Sequence, residues 1–307
     1  MVSRRRVIAG LLGIPLAGLF AMGLFAGLYS FFIEAGWWLR VQRWQVPAAG
    51  FAAKPLRIAL VADLHAGIPT MGPERIARIV DQTNALGADL ILLMGDYRAT
   101  HPYQSRKVPI EESAPLLAGL RAPLGVYAIL GNHDWRDDPA ALARHAGPVH
   151  SQTVLEGLGI PVLANRAIRI ERDGGAFWLA GLDSQAAFSR QMVPDQPGAD
   201  DLDATLAQVT DAAPVVLAAH EPDIFPSVPT RVAVTLSGHT HGGQIRLFGW
   251  APVVPSRYGN RFAYGHHVEN ARHLVVSGGL GCSGFPLRFG MPPEITLVEL
   301  GTGAVPG

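Results

Sequence analysis

Five apolar, strand-like runs in this 307-residue chain each end in a short motif of metal-ligating residue types. Run 56–62 leads into Asp63-Leu64-His65, and run 88–94 into Gly95-Asp96. Run 126–130 leads into Gly131-Asn132-His133-Asp134, run 215–218 into Ala219-His220, and run 232–236 into Gly238-His239-Thr240-His241. In α/β sheets, ligands bind at the carboxyl ends of strands. Taken singly, these motifs are an N-cap Asp, an ordinary Gly-Asp turn, an Asx turn and stray histidines. The same placement repeated five times makes them a constellation.

The donor types limit the chemistry. Residues two apart on a strand share a face, so Asp63 and His65 can address one ion together. Oxygen plus imidazole suits Mn²⁺, Fe²⁺ or Zn²⁺ better than Ca²⁺. The single cysteine, Cys282, excludes both a disulfide framework and a cysteine-rich zinc site. Asp96 carries two oxygens and can bridge two ions. Asn132 offers a neutral amide oxygen, and its neighbour His133 points elsewhere and is free for a different task. His239 and His241 lie one residue apart in a glycine-flanked loop and can reach two ions. His220 joins them by its position after a strand. His101, His145, His150, His266, His267 and His273 lack this placement and read as surface or surrounding residues, although His101 follows Asp96 closely.

The N-terminus reads differently. Ser3-Arg4-Arg5-Arg6 precedes an uncharged stretch, 7–33, of about 27 residues, against about 20 needed to cross a bilayer. Trp37 and Trp38 follow as an interfacial belt would. A retained anchor fits this length better than a cleaved signal, and the paired arginines partly resemble a twin-arginine export signal. Arg4–Arg6 favour a cytoplasmic N-terminus with the globular part outside, while Arg40 and Arg43 at the far end oppose that bias. The expected division is 1–45 as anchor or twin-arginine-type signal, 46–55 as a Pro/Ala linker, and 56–307 as the globular domain that carries the motifs. Acidic and basic residues balance at 25 each, with no basic tract beyond the first residues, which argues against sequence-specific nucleic-acid binding. No G-x-G-x-x-G follows the first strand, so dinucleotide binding fits poorly.

From residue 56 strands alternate with helical candidates at 73–86, 113–120, 139–145 and 202–209, the last with Asp200 or Asp201 as N-cap. Segments 168–170 and 177–180, split by Asp173-Gly174-Gly175, read as a hairpin. Strands at 273–277 and 295–300 close the chain. This alternation predicts an α/β class with a sheet-on-sheet core and outer helices.

The ordered motif set is similar to that of the calcineurin-like metallophosphoesterase superfamily. The later stretches Gly238-His239-Thr240-His241-Gly242-Gly243-Gln244-Ile245-Arg246, Gly279-Leu280-Gly281 and Arg288-Phe289-Gly290-Met291-Pro292-Pro293-Glu294-Ile295 resemble its bacterial membrane-anchored YaeI/YkuE-like phosphodiesterase group. The resemblance runs over nearly all of 56–300. It implies a four-layer α/β (α+β) fold, two packed mixed β-sheets flanked by helices, plus the N-terminal transmembrane helix. It implies two divalent metal ions (Mn, Zn or Fe), with Asp63, His65 and His241 on one, Asn132, His220 and His239 on the other, and Asp96 between them. A metal-activated hydroxide would then attack phosphorus, with His133 contacting the phosphate or protonating the leaving oxygen.

The chain departs from the family at Ala99. Many members have Gly-Asp-x-x-Asp, whose last Asp orients the catalytic His. Tyr97 and Arg98 instead offer a donor and a cation near the phosphate. The implied substrate is a small phosphodiester or pyrophosphate. A lipid-linked pyrophosphate such as UDP-2,3-diacylglucosamine is the alternative, which Trp135, Phe248, Trp250 and Phe285 would suit. A non-catalytic metal-binding scaffold is the alternative of another class, disfavoured because every ligand and His133 are present. The expected setting is the inner membrane, single-pass, with the domain periplasmic or extracellular and no obligate protein partner.

Overall fold

The strands that carry the ligand motifs are apolar on both faces, and that decides the architecture. In Leu56–Val61 (β2), Leu56, Ile58 and Leu60 face one way and Ala59 and Val61 the other, all of them buried. A strand buried on both faces needs a layer against each. The computed structural model describes residues 16–51, 54–173, 175–189 and 193–301.

The first sheet joins β2 to Arg40–Val46 (β1), Leu90–Leu93 (β4), Val126–Ala128 (β6) and Glu294–Leu300 (β13), in the order β1-β13-β2-β4-β6. Only the β13–β2 pairing is antiparallel in this sheet. The second sheet uses Arg166–Arg172 (β7), Gly175–Gly181 (β8), Val215–Ala218 (β9), Val232–Ser237 (β10), Gly265–Glu269 (β11) and Arg272–Val276 (β12), in the order β11-β12-β10-β9-β8-β7. Its central pairs β12–β10–β9–β8 are parallel and its two edge pairs antiparallel. Gly67–Ile68 (β3) and Arg106–Lys107 (β5) form a separate two-stranded ribbon.

Between the sheets, Leu56, Ile58, Leu60, Leu90 and Leu92 pack with Phe177, Leu179, Val216, Val234 and Leu236. On the outer face of the first sheet, Ala59, Val61, Ile91 and Leu93 meet Ile76 and Ile79 of helix Pro73–Ala85 and Ala114 and Leu117 of helix Ile110–Leu117. Helix Leu202–Ala207 covers the second sheet through Leu202 and Leu206 against Trp178, Ala180 and Leu217. The architecture is therefore helices, sheet, sheet, helices. Caps set the helix starts: Pro73 and Pro139 occupy first-turn positions, and the Asp138 and Asp201 carboxylates accept from Ala141 N and Ala204 N.

Residues 40–46, assigned from sequence to the anchor and linker, instead form β1, so the sheet begins at Arg40 rather than at 56. Arginine and glutamine obscure the alternation there, yet Trp44 and Val46 turn inward, and the whole strand pairs in register with β13. Arg40 also neutralises the fully buried Glu294 (Nη2–Oε2 2.7 Å), which accepts from Tyr264 Oη at 2.9 Å and Gly278 N at 3.1 Å. The helix expected at 113–120 runs Ile110–Leu117 and stops before Gly119. Helix His150–Gly157 and strand β11 were not anticipated.

The apolar N-terminal segment is helical from Leu16 and passes into a π-helical turn at Tyr29–Ala35. Residues 18–35 are long and apolar enough to cross a membrane, with Phe20 and Phe25 fully turned outward. Arg4–Arg6, on which orientation and the twin-arginine likeness rest, lie outside the described residues. The end of this helix is fastened to the domain. Arg75 donates to the carbonyls of Ala35 and Trp38, both at 2.8 Å, and to that of Gly36. Glu34 Oε1 accepts from Met291 N at 2.6 Å.

A truncation beginning at Arg40 is expected to fold, whereas one beginning at Leu56 strips β1 from β13 and leaves Glu294 buried without its cation. Losing one partner of a buried ion pair costs about 3–5 kcal/mol, so the shorter protein should melt at least about 5 °C below the longer one. Equal thermal midpoints in calorimetry would exclude β1 from the folding unit.

Candidate metal centre

Where each strand stops, the backbone turns into an unusual conformation. Asp63, His65, Asp96, His239 and His241 all have positive φ, between +44° and +69°. Eleven non-glycine residues among those described do so, and these five are gathered in one place. Such conformations carry a cost and persist where the surroundings over-determine them. Here the loops hold one another: His65 N donates to Asp96 O (2.9 Å), Gly281 N to Asp63 O (2.7 Å) and Gly238 N to His220 O (3.0 Å). Gly131 permits the closest approach, because a Cβ there would lie 2.3 Å from Asp96 Oδ1 and 2.8 Å from His220 Cε1.

The turns aim their side chains inward, and all are buried. Asp63, His65 and His241 form one group whose donor atoms lie within 4.8 Å of each other, and Asp96, His220 and His239 form a second. Asp96 Oδ2 stands between them, 3.4 Å from His65 Nε2 and 3.3 Å from His220 Nε2. Asn132 Oδ1 lies 3.0 Å from His239 Nδ1 and so joins the second group. The outer nitrogens of two rings are fixed: His65 Nδ1 donates to Arg98 O (3.2 Å) and His220 Nδ1 to Met94 O (2.6 Å). Both rings thus turn Nε2 to the centre, with His65 Nε2 3.1 Å from His241 Nε2, the arrangement of a metal-ligating histidine.

The donor set fits divalent cations. His220 Nε2 and Asn132 Nδ2 are buried without a hydrogen-bond partner. Burial is the largest influence on Asp63 and raises its pKa, with the Asp96 charge adding to it against His220. Burial pushes Asp134 up to about 7, again with Asp96 adding, against three backbone N–H donors. A buried cluster of this composition needs positive charge from outside the side chains.

Several residues in the site were not picked out from sequence. Asp134 accepts from Asp96 N (2.9 Å), Gly131 N (2.8 Å) and Tyr97 N (3.3 Å), clamping two of the ligand loops together. Thr100 Oγ1 lies 2.6 Å from His133 Nδ1 and supplies the orienting contact that Ala99 cannot make. His133 N donates to Asp96 Oδ1 (2.9 Å), and its Nε2 faces Ser283 Oγ at 3.4 Å. The Arg288 guanidinium, fully buried, abuts His241 Nδ1 at 3.1 Å. Thr100 could have been suspected from its place beside Ala99; the other contacts join residues far apart in the chain.

Tyr97 requires correction. Its hydroxyl donates to Ile129 O (2.8 Å) inside the core, so it offers nothing to a phosphate. A tyrosine directly after Asp96 points to the opposite side of the loop, into the layer beneath the sheet. Arg98 sits at the rim with Nη1 3.4 Å from Asp137 Oδ2. His101 is buried and close enough to His65 to feel its charge, which together with burial lowers its pKa. Trp135 is core, its Nε1 donating to Asp183 Oδ1. Phe248, Trp250 and Phe285 are exposed. Beside the centre opens a mostly apolar cleft of about 310 Å³, lined by His241 and Ser283 together with Ile245, Val253, Phe285 and Leu287.

Comparison with known proteins agrees with this geometry. The sequence profile described as calcineurin-like phosphoesterase matches residues 56–243. An uncharacterized metallophosphoesterase of Bacillus subtilis, YkuE, is 32% identical over 234 residues, covering 74% of this chain and 73% of that protein. A zebrafish (Danio rerio) transmembrane protein with metallophosphoesterase domain is 29% identical over 253 residues, covering 80% of this chain and 53% of the zebrafish protein, so the chain spans about half of that relative. An uncharacterized metallophosphoesterase of Aquifex aeolicus is 25% identical over 280 residues, covering 91% of this chain and 96% of its own.

Gly131→Ala tests the packing of the centre. The added methyl must displace Asp96 or His220, so metal bound per chain, read by elemental analysis, should fall by half or more while the fold survives. Full metal content in this variant would mean that the two loops are not held at the separation described.

Proposed function

The chain belongs to the calcineurin-like phosphoesterase family and is a hydrolase acting on phosphoester bonds, and we propose that it cleaves a phosphodiester or a pyrophosphate with two divalent cations. Asp63, His65 and His241 would hold one cation, Asn132, His220 and His239 the other, and Asp96 both. The observation that carries this reading is the position of Asp96 Oδ2 between two buried donor groups. Mixed oxygen and imidazole donors suit Mn²⁺, Zn²⁺ or Fe²⁺. Bound cations of this kind neutralise phosphate oxygens and acidify water to a nucleophile.

The chain's own residues then divide the remaining work. His133 belongs to neither of the two triads that would hold the cations, although its ring also lies within reach of His65 and Asp96 as a third candidate donor group, and it faces the centre through Nε2, 4.0 Å from Asp96 Oδ2. A Thr100 hydroxyl donating to Nδ1 would leave the ring proton on Nε2, where it can hydrogen-bond a leaving oxygen. Burial, against the Asp96 charge, depresses His133 to about 3, so the ring is neutral at neutral pH and acts as a hydrogen-bond donor to the leaving oxygen rather than by giving up its proton. With Tyr97 excluded, Arg98 at the rim is the remaining proposed phosphate contact.

The apolar cleft beside His241 favours a second reading of the substrate, a lipid-linked pyrophosphate such as UDP-2,3-diacylglucosamine. The first test compares metal-stripped and Mn²⁺-loaded protein on bis-p-nitrophenyl phosphate. Turnover only in the loaded form supports hydrolysis, and none in either form favours a metal-binding scaffold.

His133→Ala should lower kcat by about 10²–10⁴-fold with metal content unchanged. Thr100→Val should lower it by about tenfold, the worth of one hydrogen bond, and Thr100→Ser should restore it. Metal loss in step with activity would instead make His133 a ligand.

The apolar helix supports a single-pass membrane protein, and Arg4–Arg6 support a domain on the outer side of the inner membrane, as a periplasmic or surface enzyme. Protease added to spheroplasts should digest the intact domain. Protection of the domain, while a known external domain is cut, would place it in the cytoplasm.

A further inference from the structure

A second cleft, unrelated to the metal centre, lies where the apolar helix meets the domain. It is open and measures about 660 Å³. One wall is Phe31, Phe32 and Trp37 at the end of the apolar span, and the other is Arg75, Arg78 and Gln82 of helix Pro73–Ala85. A contiguous cleft of about 420 Å³ shares Arg75 and Arg78 and extends toward Arg106. Phe32 and Trp37 are largely exposed.

The charge in this cleft is one-sided. No carboxylate lines the larger cleft, and Glu74 is the one carboxylate in the contiguous cleft, against Arg75, Arg78 and Arg106. Arg75 is buried, and its N–H groups are spent on the carbonyls of Ala35, Gly36 and Trp38. Burial, and after it the guanidinium groups of Arg288 and Arg78, lower its pKa to about 10. Arg106 is already held by both oxygens of Glu112. Among the described residues Arg78 has no ion-pair partner within 4.0 Å; Glu74 and Asp81, one helical turn to either side, do not reach it. An exposed guanidinium, backed by a buried one and facing aromatic side chains at the end of a membrane-length helix, is a ready receptor for a phosphate joined to hydrocarbon.

We propose that this cleft binds the headgroup of an anionic phospholipid from the leaflet adjoining the domain. Its phosphate is held by Arg78, and its acyl chains lie along Phe31 and Phe32. Cation excess selects an anionic headgroup over a zwitterionic one, whose own ammonium group offsets the phosphate. The site sits on the far side of helix Pro73–Ala85 from the sheet and needs no catalytic turnover, so it stands or falls separately from the proposed reaction.

The test uses the full chain in detergent, with its thermal midpoint followed after addition of phosphatidylglycerol, phosphatidylcholine of the same acyl composition, or inorganic phosphate. Phosphatidylglycerol should raise the midpoint by about 3 °C more than phosphatidylcholine. Arg78→Gln should abolish that difference, and Arg121→Gln, which removes a charge outside the cleft, should keep it. Equal shifts from the two lipids, or a difference that survives Arg78→Gln, would overturn the proposal. Reproduction of the effect by inorganic phosphate alone would reassign the cleft to soluble anions.

Discussion

Burying Asp63 and Asp96 is the constraint on which the rest of this structure depends. Each stands at 1% exposure or less, and stripping water from a carboxylate costs several kcal/mol unless charge or hydrogen bonds replace it. Burial opposes the ionisation of Asp96, yet His220, His133 and His65 hold its pKa well below the usual range. Asp63 lacks enough of this help and is raised. The backbone contributes what it can, with His239 N donating to both oxygens of Asp63. What remains is a pair of buried carboxylates faced by imidazole Nε2 atoms, a donor set that could hold metal ions. The left-handed turns, the close glycines and the Asp134 clamp all serve to hold that arrangement against its own cost.

The five strand exits were legible because two patterns coincide there: an apolar run that predicts a buried strand, and a ligand-type motif directly after it. A strand buried on both faces needs no long-range information to be recognised, and β2, β4, β9 and β10 are of that kind. β1 was missed for the opposite reason. It lies at an edge, carries Arg40, Gln42, Arg43 and Gln45, and declares itself only through pairing with a strand some 250 residues later. Tyr97 shows the limit from another side. Its neighbour Asp96 faces the centre, and nothing in the local sequence says which way the loop turns the next residue. Asp134 and Ser283 were likewise out of reach, since their roles are contacts between loops that only the fold brings together.

The apolar N-terminal helix is more than a tether. Only four residues, 36–39, separate its end at Ala35 from the start of β1, and the Arg75 guanidinium caps carbonyls that the helix itself leaves unpaired. On the other side, segment 288–291 binds the helix through Arg288 N to Ser30 O (3.2 Å) and Met291 N to Glu34. The same segment reaches inward. Among the described residues Arg288 has no carboxylate partner, and it spreads its donors over the carbonyls of Gly278, Gly281 and Met291 and against His241. A planar fork with five N–H groups can meet that many acceptors at once, which a lysine ammonium cannot. One short loop therefore fixes both the end of the apolar helix and the ring of a residue in the candidate metal centre. Positions of the end of the apolar helix and of His241 are thus set by shared contacts, and that end belongs to the folded domain.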